Sequence, residues 1–222
     1  MTTFVALKRN CQFLITVLLV GNLLAADAIG GSLGIGIKFG LNAAKFVGSD
    51  ARDAQHNLPA TIRTGFVGGA FVNVSVNRTL SIQPELLYSM KGTTYKQGVE
   101  KVTYELNYLE LPLLLKYTFD TPTDVKVHLV AGPAFAWRLN VKVMYENDIG
   151  SSELAFDKSE LKSTDLGLAF GVGLGFKAGK GTVTLDGRYT LGLRSIDATT
   201  AADPVESDVK NGTFSLMLGY SL

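Results

Sequence analysis

Alternation of large apolar residues with small or polar residues recurs along most of this chain. In residues 33–42 every odd position is Leu, Ile or Phe, and every even position is Gly, Lys or Asn. A two-residue period is typical of a β-strand whose two faces meet different environments. The same period predicts eight strands, at residues 33–42, 65–76, 79–91, 104–119, 125–138, 165–177, 182–192 and 212–222.

The alternation slips once inside a predicted strand. In the fourth strand it changes phase near Tyr108 and Leu109, and from there it continues cleanly to Tyr117. One extra residue in a strand shifts the phase in this way, so the pattern predicts a β-bulge at this point.

The segments that join the strands alternate in length. Short turns rich in Asn, Asp, Pro or Gly lie at residues 77–78, 120–124 and 178–181. Longer polar loops are predicted at residues 45–64, 92–103, 139–164 and 193–211. Eight antiparallel strands with short turns at one end and long loops at the other are the layout of outer-membrane barrels. The predicted fold is therefore all-β, an eight-stranded antiparallel transmembrane β-barrel with short periplasmic turns and long extracellular loops.

The volume of the apolar side chains decides which face of each strand points outward. The apolar faces carry roughly forty large side chains, whereas the interior of an eight-stranded barrel holds about twelve. The opposite faces are mostly Gly, Ala, Ser and Thr with single charges between them, and they fit inside. Outward-facing Leu, Ile and Phe are stable in lipid. The sequence therefore favours a barrel in the outer membrane over a soluble barrel of the lipocalin type.

Aromatic residues are predicted to form two girdles at the membrane interfaces, where amphipathic rings are enriched. The girdle near the long loops consists of Phe66, Tyr88, Tyr108, Trp137 and Tyr189. The girdle near the short turns consists of Tyr117, Phe119, Phe176 and Tyr220.

The inward positions carry charges of both signs and predict a structural polar network in the lumen. Its members are Lys38, Glu85, Lys91, Glu110, Lys116, Lys126, His128, Arg138, Asp165, Lys177, Asp186 and Arg188. The sixth predicted strand has only Gly and Ala at its inward positions from 167 to 175, which leaves room for long side chains from its neighbours. Paired charges that fill a narrow barrel form a polar core rather than a channel, so we predict a closed lumen.

The first 28 residues have the pattern of a secretory signal peptide. Lys8 and Arg9 precede an apolar run over residues 13–24, and Ala26 and Ala28 fit a small-residue cleavage site. The apolar run is shorter than the ~20 residues that a membrane-spanning helix needs. We therefore predict a signal peptide over residues 1–28 and a barrel domain over residues 29–222.

No residue pattern predicts a catalytic centre, a cofactor or a metal site. The chain has two histidines and one cysteine, Cys11, which lies in the predicted signal peptide. Glu85, Glu110 and His128 could be combined into an acid–base cluster, although an interior salt-bridge network is the favoured interpretation. His56 in the first long loop has no obvious nucleophile partner. The net charge of +1 and the scattered Lys and Arg residues argue against nucleic-acid binding.

Five segments together carry a resemblance to a known family. They are GIKFGLN at 36–42, QPELLYSMKG at 83–92, YLELPLLLKY at 108–117, DLGLAFGVGLGF at 165–176 and RYTLGL at 188–193. In this order they resemble the PorT-like outer-membrane β-barrel family of Bacteroidetes-type bacteria. The resemblance implies an eight-stranded barrel in the outer membrane and, for the founding member, a role in type IX secretion. Family positions are matched by Gln83, Glu85, Glu110, Lys116, Asp165 and Arg188, which we interpret as part of the lumen network.

These observations together predict a non-enzymatic outer-membrane protein that acts through its surface loops or supports envelope assembly or secretion. The expected partners are outer-membrane lipid, the barrel-assembly machinery during insertion, and a secreted or surface protein. Two alternatives remain open at this point, a hydrolase or acyltransferase with its site at the loop rim and a small passive pore.

Overall fold

Nine antiparallel strands account for most of the chain. The computed structural model describes residues 32–51, 58–155, 157, 161–197 and 208–222, so the predicted signal peptide and His56 lie outside the described residues. The strands are β1 (Leu33–Val47), β2 (Thr61–Ser75), β3 (Leu80–Gln97), β4 (Glu100–Thr118), β5 (Val125–Asn147), β6 (Gly150–Leu154), β7 (Thr164–Ala178), β8 (Gly181–Gly192) and β9 (Lys210–Ser221). No helix in this part of the chain is long and apolar enough to cross a membrane.

Eight of the strands close into a barrel. The order of hydrogen-bonded neighbours is β4-β3-β2-β1-β9-β8-β7-β5, and β5 pairs again with β4. The short strand β6 lies outside this ring and pairs with the end of β5. The predicted eight-stranded antiparallel barrel is therefore confirmed, with one additional strand beyond its rim.

The outer surface of the barrel is apolar and the inner surface is polar or small. On β1, Ile37 and Leu41 are 61% and 60% exposed, whereas Lys38 between them is 2% exposed. The same alternation of exposed and buried side chains recurs along the barrel strands, because successive side chains of a strand point to opposite faces. An outer face of this kind is stable only against lipid.

Several strands extend further toward the loop end than the sequence indicates. The predicted loop over residues 92–103 is wrong, because β3 and β4 remain paired as far as Gln97 and Glu100 and turn through Gly98 and Val99. Part of the predicted loop over residues 139–164 is likewise strand, in the extension of β5 and in β6. Beyond the lipid both faces of a strand can be polar, so the polar composition of these segments does not separate strand from loop.

The predicted bulge lies on a different strand. The alternation of β4 is unbroken, with Leu106, Tyr108 and Glu110 all facing inward. The register instead shifts in β5, because Asn107 pairs with Asn140 and Tyr108 pairs with Arg138, which leaves one extra residue, Leu139. After this residue β5 buries its odd positions rather than its even ones.

The unbroken alternation of β4 corrects one aromatic assignment. Tyr108 is 1% exposed and points into the barrel, so its predicted place in the lipid girdle is wrong. The other eight aromatic residues lie at outward positions, although Tyr189 is only half-exposed and packs against Phe170 with ring centroids 5.6 Å apart.

Candidate functional site

The interior of the barrel is filled by two layers of polar side chains that come from seven of the eight barrel strands. The central layer consists of Lys38, Glu85, Lys116, His128, Asp186 and Arg188. The upper layer, toward the loops, consists of Asn42, Ser89, Lys91, Tyr108, Glu110, Asp165, Asn211 and Ser215. Together the two layers hold four carboxylates and four Lys or Arg side chains, so the interior charges balance apart from His128.

Glu85 lies at the middle of the central layer. Arg188 of β8 makes a bidentate contact with it, Nη1 to Oε2 at 2.7 Å and Nη2 to Oε1 at 2.9 Å. Lys38 of β1 donates from Nζ to the same Oε1 at 2.7 Å, and Gln83 adds a further donor at 2.7 Å. Two cations and an amide therefore hold this buried carboxylate in place from three strands, which satisfies most of its hydrogen-bonding capacity.

Asp186 connects Glu85 to the other side of the barrel. Its Oδ1 contacts Nε2 of His128 at 2.7 Å, and its Oδ2 lies 3.4 Å from Nζ of Lys38. Gly173 of β7 faces this pair, and a Cβ there would lie 2.3 Å from Asp186 Oδ1 and 2.4 Å from His128 Nε2. The small inward residues of β7, all Gly or Ala from 167 to 175, thus leave the space that the central layer occupies.

Lys116 is the exception in the central layer. It takes an inward position on β4, between outward Leu115 and Tyr117. Among the described residues no carboxylate lies within salt-bridge distance of its Nζ. Lys116 therefore adds an unpaired positive charge on the short-turn side of the lumen.

The upper layer combines an ion pair with amide and hydroxyl contacts. Lys91 pairs with Glu110, and its Nζ also lies 5.6 Å from the centroid of the Tyr108 ring. Asn211 donates from Nδ2 to Asp165 Oδ2 at 2.8 Å and contacts the Tyr108 hydroxyl at 3.3 Å. This layer is tied across the barrel in the same way as the central one.

Asn42, Ser89 and Ser215 form a second part of the upper layer. Asn42 donates to Ser89 Oγ at 2.9 Å, and Ser215 donates to Asn42 Oδ1 at 2.7 Å. Sequence reasoning missed these residues and Asn211 because it considered only charged side chains. Their inward parity was the signal that could have found them.

Three of the predicted lumen residues lie at the mouths of the barrel. Lys126 and Lys177 are at the short-turn end, where Lys126 donates to the backbone oxygen of Thr121 at 2.7 Å and Lys177 is exposed. Arg138 is at the loop end and donates to the backbone oxygens of Leu161 at 2.7 Å and Lys162 at 3.1 Å. Arg138 therefore holds a loop in place, whereas the two lysines are open to solvent.

The residues of the suggested acid–base cluster are not brought together for catalysis. Glu85 is occupied by Lys38 and Arg188, Glu110 by Lys91, and His128 by Asp186. Within the part of the chain that the structure describes, no group of three or more His, Cys, Asp or Glu side chains could hold a metal ion.

An apolar cap closes the lumen above the upper layer. It comprises Phe46, Ala51, Tyr95, Leu106, Tyr108, Ala136, Val141, Val143, Leu161, Ile196 and Val209. Loop residues insert between the strand ends, and Ile196 is held by backbone hydrogen bonds to Lys162 at 2.7 Å and Val209 at 2.8 Å. All eleven residues of the cap are buried.

Strands β3 to β6 continue beyond the cap as a four-stranded sheet, here called the extracellular sheet. Cross-strand ion pairs lie on it between Lys101 and Glu146, at 3.0 Å, and between Lys142 and Glu153, at 4.0 Å. Its two hairpin tips carry Val99 and Ile149, which are 59% and 95% exposed. Among the described residues Ile149 is the most exposed of the large hydrophobic side chains.

The neighbouring strand ends are fastened by Asp208. Its carboxylate lies 2.5 Å from Lys210 Nζ and accepts a hydrogen bond from Ser49 N at 3.2 Å. The pKa of the Asp208 carboxyl is lowered, and the hydrogen bond from Lys210 is the main cause. This contact joins the chain that leaves β1 to the chain that enters β9.

A closed antiparallel barrel with an apolar outer face and a packed polar interior defines an outer-membrane β-barrel protein. The chain belongs to the outer membrane protein beta-barrel domain family, whose model matches residues 25–198. No protein among curated sequences matches it.

Solved structures of outer-membrane barrels are similar to this one. Neisserial surface protein A (NspA) has 14% sequence identity and a TM-score of 0.50, over 87% of this chain and 98% of that chain. OprG from Pseudomonas aeruginosa has 13% identity and a TM-score of 0.49, over 86% and 97% of the two chains. Ail from Yersinia pestis has 14% identity and a TM-score of 0.43, over 85% and 98%. At such low identity the likeness to NspA supports the fold alone.

Proposed function

We propose that this protein is a sealed, non-enzymatic outer-membrane barrel that acts through its extracellular sheet. The observation that carries the proposal is the contrast between its two parts. The lumen is closed by the central layer, the upper layer and the apolar cap, whereas the sheet of β3 to β6 stands free with Val99 and Ile149 at its tips. The surface available for binding is therefore outside the barrel.

The packed interior argues against a passive pore. A conducting path would have to pass the contacts that Glu85 makes with Lys38 and Arg188 and then cross the apolar cap. Opening the central layer leaves buried charges unpaired, which costs several kcal/mol per ion.

The same contacts argue against catalysis in the lumen. A general base needs a reacting group within hydrogen-bond reach, and the carboxylates of this interior are turned toward cations of the protein itself. The rim-hydrolase alternative has no support from the described residues, and its candidate His56 lies outside them.

We further propose a role in secretion or envelope assembly, as the resemblance to the PorT-like family suggests. The signal peptide over residues 1–28 would deliver the chain, and the barrel-assembly machinery would insert it in the outer membrane of a Bacteroidetes-type bacterium. The partner at the extracellular sheet would be a secreted or surface protein with an apolar contact patch, because apolar tips gain most from burial against apolar surface.

The surface and secreted proteins of a deletion strain test this role. We expect cargo to accumulate in the periplasm of the deletion strain, and we expect the wild-type gene to restore the parental inventory. A V99S/I149S variant should restore it poorly, and Glu153→Gln on the same sheet should restore it fully. An unchanged inventory in the deletion strain would contradict the secretion role. Full restoration by the tip variant would contradict the role of the sheet.

A further inference from the structure

A solvent-open cavity of about 500 Å³ lies at the short-turn end of the barrel, below the central layer. In the described residues it is lined by the β4–β5 turn, the β7–β8 turn and the ends of β5, β7, β8 and β9. None of the central-layer residues is among its lining residues, and the short turns around it are the periplasmic turns of the barrel. We call it the periplasmic vestibule.

Three of the four charged residues that line the periplasmic vestibule are lysines. Lys126 and Lys177 occupy inward positions on β5 and β7, and Lys180 lies on the turn between β7 and β8. Among the described residues, no Asp or Glu takes an inward position at this end.

The nearest carboxylates lie on the β4–β5 turn. Asp120 is 91% exposed at its side chain and only 3.7 Å from Lys126 Nζ, and Asp124 is an exposed member of the lining. Lys177 and Lys180 are exposed as well, so screening affects both signs of charge. The three lysines outnumber Asp124 and Asp120, which leaves a net charge of +1 around the vestibule.

Hydrogen-bond donors accompany these charges. The register places Lys177 opposite Thr182, and Thr182 opposite Ser221, so an ammonium and two hydroxyl groups follow one another across three strands. In the described part of the chain, Lys177 and Lys180 have no hydrogen-bond or ion-pair partner of their own. Their donors are available to a ligand.

We propose that the periplasmic vestibule is a binding site for a small multivalent anion bearing phosphate groups. Phosphate oxygens accept charge-assisted hydrogen bonds from ammonium and hydroxyl groups, and a cavity of this volume holds one or two phosphate groups with their water. The ligand enters from the periplasm and does not pass the central layer. The site does not depend on the secretion role or on the extracellular sheet.

Binding of inorganic pyrophosphate to the folded full chain in neutral detergent micelles tests the site. Calorimetry should show saturable binding with one pyrophosphate per barrel. A K126Q/K177Q/K180Q variant should bind at least about tenfold more weakly, because charge-assisted contacts to phosphate are lost. The matched control is K101Q/K142Q, which removes two charges from the extracellular sheet and should bind as the wild type does.

Folding of each variant is checked by its migration on gels with and without boiling, and the single variant Lys177→Gln serves if the triple variant does not fold. Absence of saturable binding by the wild type would overturn the proposal. Equal affinity in the triple variant and the control would also overturn it, because binding would then reflect charge in general.

Nanodiscs separate the two possible sources of the phosphate. If lipid headgroups supply the ligand, phosphatidylglycerol in the disc should weaken pyrophosphate binding to the wild type by competition. If the ligand is a free periplasmic anion, discs with and without phosphatidylglycerol should give the same affinity. The lysine dependence is expected in both cases.

Discussion

At the scale of single residues, Glu85 joins Lys38 of β1 to Arg188 of β8. Its position on β3 alone does not predict this contact. Its carboxylate receives Lys38 and Arg188, which come from strands 47 and 103 residues away in the chain. Parity predicts that all three side chains face inward. It cannot predict that they meet, because the partner of an inward residue depends on the tilt and stagger of the closed barrel.

We expect Glu85→Gln to destabilise the folded barrel by about 3–5 kcal/mol, because it leaves the buried Lys38 and Arg188 without their shared carboxylate. The control is Glu153→Gln, whose carboxylate is 56% exposed and 4.0 Å from Lys142. That change should cost less than about 1 kcal/mol. Urea unfolding in micelles, followed by Trp137 fluorescence, measures both. Similar losses for the two variants would contradict the role given to Glu85.

A substitution at Gly173 tests whether the central layer needs the space that this glycine leaves free. We expect Gly173→Ala to cost about 1–3 kcal/mol, the usual range for overpacking, because its methyl group would collide with Asp186 and His128. Two positions further along the same strand, Gly175→Ala meets its nearest atom at 3.5 Å and should be nearly neutral. The difference between the two unfolding midpoints is the measurement. An equal shift of the unfolding midpoint in the two variants would contradict the tight fit at Gly173.

At the scale of elements, the β3–β4 hairpin departs most from the sequence prediction. Its strands bend at Gly92, whose φ of 130° is rarely adopted by residues with side chains, and they turn at Gly98, whose φ is 60°. A Cβ at Gly92 would lie 1.9 Å from the backbone oxygen of Tyr104, whereas one at Gly98 would meet no atom within 4 Å.

We therefore expect Gly92→Ala to lower the free energy of unfolding by about 2 kcal/mol or more, since backbone strain is combined with a clash. Gly98→Ala should cost only about 1 kcal/mol, because it introduces left-handed strain without a clash. Hydrogen exchange of the amides of residues 93–97 reports where the loss occurs. Unchanged protection in the Gly92 variant would contradict the bend at this position.

The strands within the membrane could be predicted from sequence, whereas their ends toward the loops could not. Lipid outside and a packed lumen inside impose strict alternation, as on β1 and β7. Above the lipid this constraint disappears, so the paired residues 93–103 have the composition of a loop. Tyr108 was misplaced because Leu106 and Tyr108 are apolar residues of the inner face that pack in the apolar cap. The change of phase in the β4 sequence therefore marks a change in what the inner face contacts and not an extra residue.

At the scale of the whole molecule, charge is distributed unevenly along the barrel axis. The central layer holds Glu85 and Asp186 against Lys38 and Arg188, while the periplasmic end adds lysines without inward carboxylates. The loop end is closed by apolar side chains instead. Among the described residues, the loop end is thus apolar and the short-turn end is rich in lysine.

Closure of the sheet has a consequence for denaturation. A barrel in which β4 pairs with β5 has no free edge from which to unzip, so it should resist detergent at room temperature. We expect the unboiled protein to migrate on detergent gels at a position different from the boiled one. Identical migration of membrane-extracted protein would contradict the closed barrel.

The most direct test of the account is electrical recording across planar bilayers that contain the folded full-length protein. Insertion is verified by recovering the protein and observing its heat-dependent migration. Because the central layer and the apolar cap block the lumen, we expect no single-channel steps and no conductance above that of the lipid. A steady conductance that grows with the amount of inserted protein would contradict the sealed lumen.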